Sequence, residues 1–161
     1  MPEMWDLYNI KREKTGKILP CGTPVPKGLY HLVVSAWIMN SKGQYLLSQR
    51  HPQKRYPFCW ECTGGSVLAG EDSLNGAIRE VAEELGIILC SCEAEIVYHT
   101  RREETQDFYD VWLFHVDIDI SKIKMQKTEV ISIQWVNRDT LINMEHSGKL
   151  HPLIDYIEKI F

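Results

Sequence analysis

One stretch of the chain, Gly65 to Ile87, constrains its fold more than any other. It reads GSVLAGEDSLNGAIREVAEELGI. At about 100° per residue on an α-helix, its apolar side chains fall on a single arc. These side chains are Leu74, Ala77, Ile78, Val81 and Leu85. The stretch therefore predicts an amphipathic helix that packs one face on a core.

A second arc of the same helix is acidic. Glu80, Glu83 and Glu84 are spaced i, i+3 and i+4, so they share one face. Carboxylates crowded in this way repel each other and weaken the helix. A divalent cation removes the repulsion, because Mg²⁺ and Mn²⁺ prefer oxygen ligands. The spacing therefore indicates a metal site built on a helix.

Length and composition limit the classes of protein that the chain can belong to. With 161 residues, 44% hydrophobic and 25% charged, it suits one globular domain, residues 1–161. The net charge of −4 argues against a stable nucleic acid partner, which would need a basic surface. A small phosphorylated substrate fits better, since a bound metal can offset its charge locally.

The chain shows no targeting signal, and its cysteines are odd in number. The first residues are charged and lack the apolar core of a secretory signal, and no apolar run is long enough to cross a membrane. We therefore expect a cytoplasmic protein without membrane contact. Five cysteines favour buried free thiols over a disulfide framework or a zinc site. They are Cys21, Cys59, Cys62, Cys90 and Cys92.

Predicted strands dominate the rest of the chain. Leu29 to Met39 is an apolar, β-forming run, and Gln44 to Arg50 follows a turn as its expected hairpin partner. Residues 1–28 suggest one or two short strands followed by turns. Further strands are predicted at Phe58–Thr63, Glu93–Arg102, Phe108–Ile118 and Glu129–Val136.

Two more helices are predicted near the C-terminus. Asn137 or Asp139 can cap a short helix that runs through Met144. Pro152 to Phe161 has the apolar spacing of an amphipathic helix. Strands with two or three helices place the chain in the α+β class or in a three-layer α/β/α arrangement.

The stretch at residues 65–87 resembles the Nudix box, G-x5-E-x7-R-E-U-x-E-E-x-G-U, where U is aliphatic. Every fixed position is filled, by Gly65, Glu71, Arg79, Glu80, Val81, Glu83, Glu84, Gly86 and Ile87. A merely solvated acidic helix would not explain the glycines and the arginine in this register. The resemblance implies the Nudix fold, a mixed β-sheet between helices with a loop-helix-loop metal motif.

This resemblance also implies an activity and roles for the box residues. Nudix proteins hydrolyse diphosphate linkages with Mg²⁺ or Mn²⁺. By analogy, Glu83 and Glu84 would be metal ligands, Glu80 a ligand or the base that deprotonates water, and the carbonyl of Gly65 a further ligand. Arg79 would orient a box glutamate within the catalytic group. Glu71 and Gly86 would be structural.

Residues outside the box are candidates for substrate binding. Arg50 belongs to a basic cluster that could contact phosphate, Trp60 could stack on a base, and Glu129 opens a strand in a TEV context. Other carboxylates could join the metal site, although a solvated charge is the expected role of each alone. They are Glu103, Glu104, Asp107 and Asp110.

The resemblance extends to the branch of the superfamily that contains isopentenyl-diphosphate isomerases. It rests on WDLYN, KGLYHLVVSAWIMNSKGQYLLSQR and PFCWECTGGSVLAGEDS. Isomerisation is the alternative function, but Gly65 and Val67 stand where the isomerases have a catalytic cysteine and a metal-binding histidine. The intact box favours hydrolysis of a nucleoside di- or triphosphate or a related X-linked nucleoside diphosphate. A non-catalytic nucleotide sensor would not need all of the carboxylates, and a homodimer is one expected assembly.

Overall fold

The computed structural model describes residues 1–161 and contains nine strands and three helices. The strands are β1 (Met4–Tyr8), β2 (Lys14–Pro20), β3 (His31–Met39), β4 (Tyr45–Arg50), β5 (Trp60–Glu61), β6 (Thr63–Ser66), β7 (Ala94–Arg102), β8 (Asp107–His115) and β9 (Val130–Val136). The helices are α1 (Ser73–Leu85), α2 (Arg138–His146) and α3 (Ile157–Ile160). No helix combines the length and apolar character needed to span a membrane.

Strand β3 is the centre of the sheet. It pairs in parallel with β8 from His31 opposite Asp107 to Met39 opposite His115. On its other side it pairs antiparallel with β6, which carries the first glycine of the box. Strand β7 continues the sheet beyond β8. The register therefore places the loop before α1 beside the middle of the most buried strand.

Alternation along β3 divides the interior into two cores. Leu32, Val34, Ala36 and Ile38 pack with the apolar face of α1. Val33, Trp37 and Met39 face the opposite side of the sheet, where they pack with side chains of α2 and α3. Because successive side chains of a strand point to opposite faces, a continuous apolar run can serve both cores. The α/β/α sandwich of the α+β class is thereby confirmed.

Helix α1 is closed at both ends by its own sequence. The Asp72 side chain accepts a hydrogen bond from the backbone N–H of Asn75 and caps the N-terminus. Gly86 ends the helix with φ of 66°, a left-handed conformation that favours glycine, and its N–H donates to the carbonyl of Ala82. The helix predicted from the apolar arc is thus confirmed.

The N-terminal hairpin β1–β2 holds the loop that precedes α1. The Asp6 carboxylate accepts a hydrogen bond from the backbone N–H of Gly70, and the carbonyl of Met4 accepts one from Ala69. These contacts join the middle of the loop to a separate two-stranded sheet. The short strands predicted in residues 1–28 therefore support the box directly.

One prediction about the fold is wrong, and another holds only in part. Residues Pro152–Phe161 form a helix only at Ile157–Ile160, because the preceding residues turn to bury Ile154 and Tyr156. The predicted hairpin of β3 and β4 is confirmed at its turn, where Tyr45 lies opposite Met39, but beyond that pair β4 bonds to β9 and β5. A hairpin can be read from local sequence, but the divergence of its strands depends on distant partners.

The cysteine prediction is also corrected. Cys90 and Cys92 are exposed and joined by a disulfide, with an S–S distance of 2.27 Å. Only Cys62 of the three free thiols is buried, whereas Cys21 and Cys59 are half-buried. Two cysteines with one residue between them can approach each other in a turn whatever the total number of cysteines. The odd number therefore did not exclude a disulfide.

Candidate active site

Arg79 is the centre of the box and contacts three of its glutamates. Its Nε lies 2.7 Å from Glu71 Oε1, and its Nη1 lies 2.9 Å from Glu80 Oε1 and 3.2 Å from Glu83 Oε2. Its Nη2 donates to the backbone carbonyl of Ser66. Burial would lower the pKa of this guanidinium, but Glu71 and Glu80 outweigh burial and raise it. Arg79 therefore stays charged and links α1 to the loop before it.

Glu71 holds the same loop from the other side. Its Oε2 accepts a hydrogen bond from the backbone N–H of Leu68 at 3.1 Å, while Arg79 occupies both of its oxygens. The hydrogen bonds of both Glu71 oxygens are thus made within the box. Gly86 likewise acts on the backbone, as the end of α1.

Gly65 and Glu80 are in close contact. A Cβ built on Gly65 would lie 2.4 Å from both Cδ and Oε1 of Glu80. No real Cβ is found at such a distance, so only glycine leaves room for this carboxylate. Burial raises the pKa of Glu80, and Arg79 opposes that change. The backbone of β6 and the carboxylate of Glu80 on α1 are therefore in direct contact.

Glu84 lies on the inner side of α1, near the carboxylates of Glu61, Glu80 and Glu129. It is only 7% exposed. Burial raises its pKa to about 8, with Glu61, Glu80 and Glu129 contributing to this value and Lys54 opposing it. Lys54 also forms an ion pair with Glu129. Glu84 is thus a buried carboxylate whose surroundings are mostly negative, which is a costly arrangement without a cation.

The three helix glutamates do not share one environment, although their spacing puts them on one arc. Glu83 points toward solvent, with its side chain 51% exposed, and pairs with Arg79. Glu80 is half-buried against Gly65, and Glu84 faces Lys54. Arginine and lysine side chains therefore offset the repulsion that the sequence predicted, in the conformation described here.

Arg50 lies at this site but is engaged by another residue. Its Nη1 contacts both carboxylate oxygens of Glu61, at 2.8 and 3.0 Å, and its Nε donates to the backbone carbonyl of Arg55. Burial raises the pKa of Glu61, and Arg50 is the main opposing charge. Arg50 could reach a phosphate only by exchanging part of this pair. Its role in substrate binding stays a prediction.

Glu61 was missed in the sequence, although it carried a signal. It is a charged residue in the otherwise apolar and small segment CWECTGG, directly before the box. Strand β5 turns its side chain toward Arg50 and places it near Glu84. A charge in a short buried strand is uncommon unless it is paired or functional.

The other candidates outside the box lie in different surroundings, and only Glu129 is close to the box glutamates. Glu129 lies beside Lys54 at the start of β9. Trp60 packs on the second core, so its ring faces the interior more than the cleft. Asp107 and Asp110 are buried and paired with Arg102 and Arg12, respectively, which gives them a structural place. Glu103 and Glu104 are exposed beyond the end of β7.

A cleft of about 210 Å³ opens beside Gly65 and Glu61. His151 forms part of its wall and was not identified from the sequence. Its Nδ1 accepts a hydrogen bond from the backbone N–H of Leu153 at 3.1 Å. Burial, and after it the charges of Arg50 and Lys54, lower the pKa of His151 to about 4. The ring is therefore neutral at neutral pH, with Nε2 as its N–H donor.

The donor set fits a hard divalent cation. No three Asp, Glu, His or Cys side chains are grouped for coordination in this conformation, because Arg79 and Lys54 engage several of the carboxylates. The available ligands near Gly65 and Glu84 are oxygen atoms, which suit Mg²⁺ or Mn²⁺. Buried Glu84, with its raised pKa, marks where positive charge is lacking.

The protein is an α/β/α sandwich in which Glu80 of α1 lies against Gly65, a residue that lines the cleft. The NUDIX domain family model matches residues 29–156. The chain therefore belongs to the Nudix family and is a hydrolase that acts on pyrophosphate bonds. Members of this family generally use divalent metals.

Relatives and solved structures agree with this assignment. The chain is 36% identical to an uncharacterized Nudix hydrolase of Listeria monocytogenes, over 99% of this chain and 94% of the relative. It is 26% identical to an isopentenyl-diphosphate Delta-isomerase of Escherichia coli, over 80% of this chain and 74% of that one.

Two crystal structures are similar in fold. A protein of Deinococcus radiodurans superposes with a TM-score of 0.79 at 22% identity, covering 99% of both chains. A MutT protein of Methanosarcina mazei superposes with a TM-score of 0.63 at 29% identity, covering 81% of this chain and 91% of the other. The match over the whole chain includes the N-terminal hairpin that precedes the family model.

Proposed function

We propose that this protein hydrolyses the diphosphate linkage of a nucleoside di- or triphosphate, or of a related X-linked nucleoside diphosphate, with Mg²⁺ or Mn²⁺ as cofactor. The observation that carries the proposal is the position of Glu84. It is buried, and Glu61, Glu80 and Glu129 are near enough to raise its pKa, while Glu80 itself lies against the backbone of Gly65. Such a cluster attracts divalent cations, and these cations neutralise the phosphate oxygens that otherwise repel water.

The residues of the chain divide the work as follows. Glu80, Glu83 and Glu84, with the carbonyl of Gly65, would hold the cation. One of these glutamates would also accept the proton of the attacking water, as a carboxylate with a raised pKa can do near neutral pH. Arg79 orients Glu80 and Glu83 through its hydrogen bonds.

Cationic and neutral donors would position the substrate. Lys54 and Arg50 each hold a carboxylate of the site, Glu129 and Glu61, respectively. A phosphate that displaced Glu129 or Glu61 from these pairs would meet the charge of Lys54 or Arg50. His151 can donate from Nε2 without adding charge, because its pKa is lowered.

Isomerisation has less support from the site. Val67 is 3% exposed and packs on Gly76 of α1, so a side chain at this position faces the core and not the cleft. Cys62 borders the cleft, but burial raises its pKa to about 12, which keeps the thiol protonated. The residues that an isomerase would need are therefore absent from the positions that could act.

A pair of substitutions tests the proposed hydrolysis. The double variant Glu83→Gln/Glu84→Gln keeps the size of both side chains and removes their charges. We expect the hydrolysis of a panel of diphosphates with Mg²⁺ or Mn²⁺, measured by chromatography of the phosphate products, to fall by about three orders of magnitude or more. The melting temperature and circular dichroism should show an intact fold. Retained turnover would refute the role of these two glutamates.

A control separates hydrolysis from isomerisation. Cys62→Ala should leave the rate of diphosphate hydrolysis unchanged, because the thiol has no part in the proposed reaction. Double-bond migration in isopentenyl diphosphate, lost in Cys62→Ala, would favour the isomerase instead.

A further inference from the structure

A second cavity, of about 430 Å³, lies between the β7–β8 turn and the segment Pro152–Tyr156. It is twice the size of the cleft beside Gly65. Its volume is within the usual range of pockets for small molecules, about 300–1,000 Å³. Neither the box nor the proposed cation site uses it.

The second cavity adjoins the cleft. Arg102, Tyr109 and Leu153 line both spaces. A molecule with its diphosphate beside Gly65 and Glu61 can therefore extend past these three side chains into the second cavity. The two spaces form one path from the box to the far edge of the sheet.

Arg102 is the cation at the junction. Its Nε and Nη2 contact the two oxygens of Asp107, at 2.7 and 2.9 Å, and its guanidinium lies 4.1 Å from the centroid of the Tyr109 ring. Asp107 is 2% exposed, so it holds the guanidinium from the interior side. Nη1 is outside this ion pair. Arg102 is thus a rigidly held donor where the cleft ends.

The walls of the second cavity are aromatic and preformed. Tyr98 stacks on Tyr156 with ring centroids 5.1 Å apart. The hydroxyl of Tyr156 is 2.9 Å from that of Tyr109, which in turn is 2.6 Å from Ser35 Oγ. These buried bonds hold the rings in place. A bound group would therefore meet a fixed apolar surface.

Negative charge surrounds this aromatic surface. Glu103, Glu104 and Asp155 line the cavity, and its only basic residue, Arg102, is already paired with Asp107. Such an environment repels another phosphate, but its carboxylates accept hydrogen bonds from hydroxyl groups. The cavity therefore favours an uncharged group with hydroxyl donors and an apolar face.

We propose that the second cavity binds an uncharged, hydroxyl-bearing group of the substrate, a sugar or nucleoside, while Arg102 contacts the phosphate at the junction. The substrate is then a diphosphate esterified at both ends rather than one that ends in a free phosphate. This inference rests on the proposed hydrolysis, since it assumes that the diphosphate lies beside Gly65.

Two probes and one substitution test this assignment. ADP-ribose has a hydroxyl-bearing group on each side of its diphosphate, so its orientation does not matter, whereas methyl diphosphate lacks such a group. We expect kcat/KM of the wild type to be at least about tenfold higher for ADP-ribose. Leu153→Trp fills the junction and should lower this ratio at least about tenfold, mainly through KM for ADP-ribose.

A matched control excludes a general effect of an added indole. Ile96 on β7 is 45% exposed, against 44% for Leu153, and lines neither cavity. Ile96→Trp should leave the ratio within about twofold of the wild type. If Leu153→Trp is unstable, Thr100→Trp fills the cavity from the opposite wall and should give the same loss.

The outcomes distinguish the two proposals. Equal kcat/KM for both probes, or a ratio that neither cavity-filling variant changes, would overturn the role of the second cavity and leave hydrolysis standing. Hydrolysis converts ADP-ribose and water to AMP and ribose 5-phosphate, and methyl diphosphate and water to methyl phosphate and phosphate. If none of these products formed from either probe with Mg²⁺ or Mn²⁺, the proposed hydrolysis would instead be overturned.

Arg102 has its own test. The double variant Arg102→Met/Asp107→Asn removes the ion pair without leaving a buried charge. We expect KM for both probes to rise about tenfold or more with a smaller change in kcat, because a phosphate contact is lost. An unchanged KM for both probes would remove Arg102 from the site.

Discussion

The backbone of Gly65 and the carboxylate of Glu80 occupy adjoining space, with no room for a side chain between them. A Cβ on Gly65 would lie 2.4 Å from Glu80 Cδ. The glycine is thus required by a close approach, since its φ is not among the positive values in this chain. The contact couples the position of strand β6 to that of a catalytic candidate on α1.

The first prediction follows from this contact. Gly65→Ala must displace Glu80 or β6, so we expect kcat to fall by about 100-fold, since a shift of about 1 Å at a catalytic group can have this effect. The melting temperature should fall by only a few degrees, because Glu80 is half-buried and can move. Steady-state kinetics and thermal unfolding measure the two effects.

A neighbouring substitution is the control for Gly65→Ala. Ser66→Ala changes the next residue of β6 and leaves its carbonyl available to Arg79. This variant should keep kcat within about twofold of the wild type. If Gly65→Ala were equally active, the close contact would have no part in catalysis.

The second prediction concerns the pH dependence of stability without metal. The pKa of Glu84 is raised from 4.5 to about 8 in the folded protein. The folded state therefore binds one more proton than the unfolded state between these two values. The stability that this proton contributes is fully present below about pH 4.5 and is lost as the pH rises through about 8.

Glu84→Gln removes this titration. In the presence of a chelator, the variant should be about as stable as the wild type near pH 5 and more stable by roughly 1–3 kcal/mol near pH 9, since one pKa unit corresponds to about 1.4 kcal/mol. Urea unfolding at a series of pH values measures the difference. A constant difference at every pH would contradict the raised pKa.

An exposed glutamate provides the comparison for that series. The side chain of Glu95 is 63% exposed, so Glu95→Gln should show no such increase with pH. Adding Mg²⁺ should raise the melting temperature of the wild type at pH 8 more than that of Glu84→Gln, because the variant has lost a ligand.

The third prediction concerns the junction of the N-terminal hairpin and the box helix. Arg12 lies between β1 and β2 and forms an ion pair with Asp110, which is 1% exposed. Ser73, the first residue of α1, also donates to Asp110 and accepts a hydrogen bond from Trp112. Arg12→Met would leave Asp110 buried without its cation, so we expect a loss of about 2 kcal/mol in the free energy of unfolding.

Arg101→Met is a closely matched control. The side chain of Arg101 is 38% exposed and that of Arg12 36%, but the partner of Arg101, Glu103, is 61% exposed. Surface ion pairs contribute little, so Arg101→Met should cost no more than about 0.5 kcal/mol. Equal losses in the two variants would show that burial of the partner does not decide the stability.

The box and its helix could be predicted because their information is local. Asp72, the apolar arc and Gly86 specify where α1 begins, packs and ends, and each acts within a few residues of its own position. The strands followed from apolar runs in the same way. The helix predicted at Pro152–Phe161 was wrong for the opposite reason. Ile154 and Tyr156 are buried in a core formed by residues far away in the chain, and this burial outweighed the helical spacing.

The surroundings of the glutamates could not be predicted from their spacing. Glu61 comes from β5, Glu129 from the start of β9 and Lys54 from the loop between β4 and β5, and only the sheet brings them to Glu84. The amino-acid sequence by itself determined the acidic helix, its caps and the family. Tertiary structure alone decided which carboxylate is buried and where the second cavity lies, because charge interactions and cavities depend on distances in space between residues that are far apart in the chain.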